Sequence, residues 1–110
     1  MKRGSYNGLS RLRGVFMEFI FKDKIVSITD DEMTEIDRII KDHITYESIW
    51  STIDPYGDSY ISGNDLIVLI QECRIYEQLL KGSYLRTMVE IRALSELAYS
   101  SNGSLYICGD

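Results

Sequence analysis

The chain contains a single proline, and it stands in the short segment Ile53-Asp54-Pro55-Tyr56-Gly57-Asp58, between two stretches with helical periodicity. Proline fixes its own φ angle, glycine adopts backbone angles closed to other residues, and aspartate closes turns through its side chain. The segment therefore predicts a loop of fixed shape between two helices. Three roles are open to such a loop: it binds a metal ion, it binds a protein, or it only reverses the chain.

The N-terminal half combines a strand pattern with a helix pattern. Residues 15–21 and 24–29 are rich in Phe, Ile and Val around the polar Lys22-Asp23-Lys24, which predicts a β-hairpin. Thr29 and Glu32 have the spacing of a capping box at a helix start. Apolar side chains then follow at helical spacing as one stripe, formed by Met33, Ile36, Ile39, Ile40 and Ile44. A second, short helix is expected from about residue 45 to residue 53.

The C-terminal half predicts two longer helices and a final strand. Ser62-Gly63-Asn64-Asp65 has the form of a helix cap, and Lys81-Gly82-Ser83 ends the third helix that follows it. The apolar stripe of this helix consists of Leu66, Leu69, Ile70, Cys73, Tyr76 and Leu80. A fourth helix is expected over residues 84–99, with Leu85, Met88, Val89, Leu94, Leu97 and Ala98 available for the core. Residues 105–108 form a β-type run that predicts a strand added to the hairpin.

The order of these elements predicts an α+β fold with an N-terminal β-hairpin, about four helices and a short C-terminal strand that completes a small sheet. Residues 1–14 show neither periodicity and carry four Lys/Arg, which predicts a flexible basic tail. Residues 15–110 are expected to form a single domain with one hydrophobic core. Because the apolar stretches are short and no cleavable signal pattern opens the chain, we expect a cytoplasmic protein without membrane contact.

Charge is divided unevenly along the chain. Residues 1–24 carry six Lys/Arg and two acids, residues 25–110 carry six Lys/Arg and fifteen acids, and the formal net charge is −5. Such an acidic body disfavours direct contact with nucleic acid and favours a basic partner, which it attracts over a long range. Negative charge that only keeps a small protein in solution is the other interpretation, and composition does not decide between them.

The sequence lacks the motifs of catalysis. The single histidine, His43, stands near the end of a charged helix, where it complements the helix dipole. We find neither a nucleophile and histidine in a recognised order nor a glycine-rich phosphate loop. Cys73 and Cys108 have no metal or redox spacing and lie among apolar residues, which predicts buried free thiols. We therefore expect no enzyme activity and no cofactor.

The proline loop partly matches the calcium-binding loop of an EF-hand. Counting from its first aspartate, oxygen-bearing residues stand at ligand positions 1, 5, 9 and 12, namely Asp54, Asp58, Ser62 and Asp65. Tyr56 replaces the ligand at position 3, Ser59 replaces the glycine at position 6, and Asp65 is shorter than the usual glutamate. The sequence has no second loop to pair with this one. A degenerate EF-hand-like calcium-binding or regulatory module is therefore the alternative function.

Residues 49–110 resemble a group of small bacterial proteins. Their pattern is Asp-Pro-Tyr-x-Asp-Thr followed by Phe-Asn, then a helix and an aromatic-apolar strand closed by Gly-Asp. This chain has Asp54-Pro55-Tyr56-Gly57-Asp58 at one end of the pattern and Leu105-Tyr106-Ile107-Cys108-Gly109-Asp110 at the other. Ser59 stands for the threonine, Ile61-Ser62 stands for Phe-Asn, and no histidine precedes the last strand. The group looks like the immunity proteins of toxin systems, including contact-dependent inhibition.

The resemblance implies a protein that binds and neutralises a cognate bacterial toxin. Such inhibitors cover the active site or substrate groove of the toxin, and the groove of a nuclease is basic, so an acidic inhibitor docks quickly. We expect a basic partner, with a nuclease domain as the first candidate. The candidate contact residues are acidic or aromatic: Asp30, Asp31, Glu32, Glu35, Asp54, Tyr56, Asp58 and Asp110.

Structural roles compete for four of these residues. Asp54 and Asp58 also suit a loop in which aspartate side chains accept backbone amides. Tyr56 is either an exposed binding residue or a core residue packed against Trp50. Asp110 is either a charge presented to the partner or a residue without a role.

Overall fold

The structure is a computed structural model that describes residues 15–43, 48–54 and 56–109. Four strands, three α-helices and one short 3₁₀ turn occur in these ranges, which confirms the α+β class. In chain order they are β1 (Val15–Phe21), β2 (Lys24–Thr29), α1 (Asp30–His43), the 3₁₀ turn (Trp50–Thr52), β3 (Asp58–Ser62), α2 (Asn64–Glu77), α3 (Gly82–Ser100) and β4 (Ser104–Cys108).

The four strands form one antiparallel sheet in the order β2-β1-β4-β3. β1 pairs with β2 as the predicted hairpin, and its other side pairs with β4, so the predicted addition of the last strand to the hairpin is confirmed. β1 carries a bulge between Val15 and Met17, where the register with β2 shifts by one residue. A bulge of this kind redirects the side chain at the extra position.

β3 is the main departure from the predicted fold. The sequence predicts a loop and a helix cap over Asp58–Ser62, whereas these residues pair with β4 from Asp58↔Cys108 to Ser62↔Ser104. The strand was missed because it is short and buries only one large apolar side chain, Ile61. Its pairing partner also lies more than forty residues further along the chain.

The predicted cap of α2 is also wrong, because Ser62 belongs to β3 and not to the start of the helix. Ser62 ends β3, and the N-cap residue is Gly63, which has φ 57° and makes no side-chain cap bond. The predicted capping box of α1 is confirmed. The amide of Glu32 donates to Thr29 Oγ1 at 3.2 Å, and the amide of Thr29 donates to Glu32 Oε1 at 2.8 Å.

The prediction of about four helices needs a correction within the described residues. Of the short helix expected over residues 45–53, residues 45–47 lie outside the described ranges, and residues 48–53 contain only the 3₁₀ turn. Ile53 leaves this turn with an extended backbone at ψ 126°. Pro55 sterically disfavours the helical conformation at the residue before it, so the chain does not continue as a helix through Asp54.

The core lies between one face of the sheet and the three helices. The sheet contributes alternate residues of its strands, Met17, Phe19, Phe21, Ile28, Ile61, Leu105 and Ile107. The predicted stripes supply most of the rest, among them Ile36, Leu66, Leu69, Cys73, Met88 and Leu94. Leu97, which was available for the core in the predicted fourth helix, is exposed instead. Trp50 lies stacked on Phe19, with ring centroids 5.8 Å apart.

Candidate functional site

The sheet topology collects the predicted contact residues at one end of the molecule. Because the sheet is antiparallel throughout, the carboxyl ends of β2 and β4 lie beside the amino ends of β1 and β3. Asp30 and Asp31 follow β2 directly, and Asp54 and Asp58 precede or begin β3. We call this region, with Tyr56, the acidic end. The opposite or hairpin end holds the β1–β2 turn and the start of α2.

The four predicted contact acids on α1 differ in whether their carboxylates already have partners. Asp30 and Asp31 are exposed in the first turn and make no ion pair with the described residues. Glu32 uses its carboxylate internally, because Oε2 accepts from the Thr87 hydroxyl at 2.6 Å in addition to the capping box. Glu35 is bound by Arg38 at 2.6 Å, and this hydrogen bond lowers the pKa of Glu35. Of the four predicted contact acids on α1, Asp30 and Asp31 are therefore the two that are best placed to bind a partner.

The proline loop folds around the carboxylate of Asp54. Asp54 Oδ1 accepts from the amide of Tyr56 at 2.9 Å, and its carbonyl accepts from the amide of Gly57 at 3.4 Å. A Cβ atom at position 57 would lie 2.6 Å from Asp54 Oδ2, so a side chain there would displace the Asp54 carboxylate. The amide of Gly109 donates to the Gly57 carbonyl at 2.7 Å and fixes the loop to the end of β4. Asp54 thus closes the turn and remains exposed.

Tyr56 is an exposed residue and not a core residue. It is 76% exposed, and its ring lies edge-on to that of Phe16 in the β1 bulge, with ring centroids 6.5 Å apart. The alternative in which Tyr56 packs against Trp50 is wrong, since Trp50 contacts Phe19 and Tyr76. The contact between Tyr56 and Phe16 also joins the proline loop to the start of β1.

The loop does not have the geometry of a twelve-residue calcium loop. Asp58–Ser62 is a strand, in which the chain rises roughly 3.3 Å per residue, so positions 5 and 9 are held about 13 Å apart. A calcium loop instead curls so that these oxygens converge on one ion. Within the described ranges, no group of three or more His, Cys, Asp or Glu side chains is placed to hold a metal ion.

The remaining predicted chemistry concerns the thiols and the last residue. Cys73 and Cys108 are free and buried, as predicted. Burial raises the pKa of the Cys73 thiol, and the Glu77 and Glu72 carboxylates add to the rise, so this cysteine stays protonated and unreactive. Asp110 lies outside the described residues. None of the described helices is both long and apolar enough to cross a membrane.

A second surface, not identified from the sequence, adjoins the acidic end. The sheet face opposite the helices carries a row of four side chains, one from each strand, which the register places side by side: Ile25, Ile20, Tyr106 and Tyr60. We call it the aromatic row. Tyr60 is 71% exposed and stacks on Tyr106, with ring centroids 4.8 Å apart and planes at 24°. Burial raises the pKa of Tyr106, and the neighbouring Cys108 and Asp58 add to the rise.

The next row of the same face contains carboxylates. The register places Ser27, Glu18, Cys108 and Asp58 side by side, so one thiol lies between two acids. Glu18 is 6% exposed, whereas Asp58 is exposed at the edge of the sheet. Neighbouring residues across a pair of strands lie roughly 4.5–5.5 Å apart. The alternation of β1 marks Glu18 as facing away from the core, but no pattern in the sequence shows which residues stand beside it.

Comparison of the chain with models of protein families, with curated proteins and with solved structures gave no match. The resemblance to immunity proteins therefore stays a prediction, and the geometry of the acidic end is the observation on which a functional proposal must rest.

Proposed function

We propose that the protein is a cytoplasmic immunity protein that binds and neutralises a cognate bacterial toxin, with the acidic end as its contact surface. The observation that carries the proposal is the convergence of residues distant in sequence. Asp30 and Asp31 from the start of α1 share one end of the sheet with Asp54, Asp58 and the exposed Tyr56. We propose a nuclease domain as the toxin, since its substrate groove is basic.

The chemistry of this end suits an inhibitor better than a catalyst. Exposed carboxylates steer a basic partner during diffusional encounter and raise the association rate. An exposed tyrosine supplies a large contact area at a small entropic cost, and tyrosine is enriched among the residues that dominate binding energy. Helix α1 carries Asp30 and Asp31, and strand β3 carries Asp58, so these acids are held on regular elements, which limits the ordering cost of association.

The test is a titration against the polypeptide encoded next to this gene, at low and high salt, together with growth rescue on co-expression. We expect tight binding that weakens as salt rises, because exposed charges are screened within about 10 Å at 0.1 M ionic strength. Absence of binding and of rescue would contradict the proposal.

Charge reversal locates the interface. Asp30→Lys/Asp31→Lys should slow association about tenfold or more at low salt and reduce protection, because like charges then face the basic toxin. The matched control is Asp23→Lys/Asp65→Lys, which changes the net charge equally at exposed positions of the hairpin end. Asp65 also stands in the first turn of a helix, so a lysine there interacts unfavourably with the helix dipole to a similar extent. Equal effects of the two variants would assign the salt dependence to net charge and contradict docking at the acidic end.

A further inference from the structure

The aromatic row is the most exposed apolar feature of the sheet. Ile25 at one edge is 48% exposed and Tyr60 at the other is 71% exposed, with Ile20 and Tyr106 half-buried between them. Exposed large apolar residues also occur on the helices, as Ile75, Leu97 and Tyr99, and in the turn after α2, as Leu79. Those residues are not part of a sheet row, whereas the register joins the aromatic row across all four strands. Contiguous exposed apolar patches mark interaction sites more often than single residues do.

The charges around the row specify the chemistry of an occupant. The outward-facing residues of the four described strands include Glu18 and Asp58 but no lysine or arginine. Asp54 and Asp58 also alternate along the chain with the exposed Tyr56 and Tyr60. A face made of tyrosine rings and carboxylates attracts cations in two ways: by Coulomb interaction with the acids, and by the electron-rich faces of the rings.

We infer that this face binds a cationic segment of a protein partner, with an arginine or lysine side chain of that partner on the face of Tyr60 that Tyr106 does not cover. The inference rests on the proposed function and extends its interface from the acidic end onto the sheet, where Asp58 belongs to both surfaces. The face of a tyrosine ring attracts a cation, and the attraction grows stronger as water is excluded. Tyr106 covers one face of the Tyr60 ring, and the other face is open at the edge of the sheet to a planar guanidinium, which favours arginine.

The first arm of the test compares variants of Tyr60 for binding to the adjacent-gene polypeptide. Tyr60→Ala removes the ring and should weaken binding about tenfold, while Tyr60→Phe keeps the ring and should bind nearly as the parent protein does. Tyr99→Ala on α3 is the matched control, because it removes another exposed tyrosine that is not part of the aromatic row. Thermal unfolding of all variants verifies that each is folded.

The second arm uses a defined probe and does not depend on the toxin. A short peptide of alternating arginine and serine is titrated into the full chain, and the side-chain NMR signals of Tyr60 and Tyr106 are followed, with a glutamate-serine peptide as the control. We expect the arginine peptide alone to shift both signals, and Tyr60→Ala to abolish its binding. An Arg11→Ser/Arg13→Ser chain is titrated in parallel, since residues 1–14 carry basic side chains of their own.

The outcomes separate this inference from the proposed function. Toxin binding that is unchanged by Tyr60→Ala, with no peptide shift, overturns the inference and leaves the immunity role intact. Peptide binding at Tyr60 without toxin binding supports the cationic-segment face and overturns the immunity role. Peptide binding only to Arg11→Ser/Arg13→Ser means that the chain's own basic residues occupy the face, and this overturns a separate partner. Failure of both ligands in all chains overturns both proposals.

Discussion

Glu72 shows how one half-buried carboxylate fixes a segment that has little regular structure. Its oxygens accept from the Ser48 hydroxyl at 2.9 Å, the Ile49 amide at 2.7 Å and the Trp50 amide at 3.1 Å. The Tyr76 hydroxyl donates to the same carboxylate at 3.4 Å. These bonds supply the 3₁₀ turn with acceptors for amides that have no partner within so short a helix. They also hold Trp50 on the core, where its ring lies stacked on Phe19.

Removal of this carboxylate should loosen the segment and destabilise the fold. We expect Glu72→Ala to lower the free energy of unfolding by about 2–3 kcal/mol, since a charged acceptor is lost and buried amides are left unpaired. Urea unfolding followed by the fluorescence of the single tryptophan, Trp50, measures both the stability and the environment of that ring. Glu90→Ala is the control, because Glu90 is exposed on α3. Equal stability of the two variants would contradict this role for Glu72.

The sequence offered no way to single out Glu72. It is one of seventeen acids in the chain, it stands on the polar side of a predicted helix, and its partners lie 22 to 24 positions earlier. A local pattern identifies Asp54 and Tyr56 as special, because proline and glycine surround them. It does not show that Tyr56 is exposed to solvent, since the exposure of a loop side chain depends on the tertiary fold.

At the scale of elements, the start of α1 is tied to two parts of the fold. The capping box satisfies the helix end, and the second oxygen of Glu32 accepts from Thr87 Oγ1 on α3 at 2.6 Å. Thr87 is buried, so its hydroxyl needs this partner. The sequence predicted the local half of the arrangement because the capping box is a four-residue pattern. The bond to α3 joins residues 55 positions apart and has no local pattern.

The double role of Glu32 predicts unequal and coupled effects of substitution. Thr29→Ala should cost about 1 kcal/mol, the usual cost of losing a helix cap. Glu32→Ala should cost more, about 2 kcal/mol, because Thr87 also loses its acceptor. In a double-mutant cycle with Thr87→Val, the combined loss should be smaller than the sum of the single losses. Chemical denaturation gives all the values, and strict additivity would show that the two side chains are not coupled.

For the strands too, pairing between neighbouring segments could be predicted from the sequence, whereas pairing between distant segments could not. The hairpin was predictable because both strands are rich in β-branched and aromatic residues and adjoin in sequence. β3 was not predictable, since Ile61 is its only large core residue and its pairing partner is β4. The aromatic row was missed for this reason: Tyr60 and Tyr106 become neighbours only after the β3–β4 register is known.

For the whole molecule, burial of protonated groups sets the response to alkaline pH. Tyr76 is 3% exposed, and burial raises its pKa to about 12 from an ordinary value near 10, with the Glu72 carboxylate adding to the rise. Burial raises the pKa of Cys73 as well. In the unfolded chain these groups lose their protons near their ordinary pKa values, whereas the folded protein retains them. The unfolded state then binds fewer protons, so stability falls as pH rises.

We therefore expect the free energy of unfolding to decline between pH 10 and about pH 12, with up to about 2–3 kcal/mol of the loss due to Tyr76. The stabilising contribution is complete below pH 10 and is lost as pH approaches the folded pKa. Tyr76→Phe should make the decline shallower, because phenylalanine does not titrate, and should cost little at neutral pH. Thermal unfolding at several pH values checks both slopes. If the stability of the parent protein and of Tyr76→Phe declined with the same slope, the titration of Tyr76 would not explain the loss.

The position of β4 has a consequence for the time at which the fold can form. β4 lies between β1 and β3 in the sheet, yet it follows every other described element along the chain. During synthesis, the hairpin and β3 are therefore made before β4, and the strand edges that pair with β4 stay unpaired until β4 is synthesised. Pairings between distant segments also slow folding. Under the proposed function, a nascent chain gives no protection until β4 emerges, so the delay between translation and immunity is set by the last strand to join the sheet.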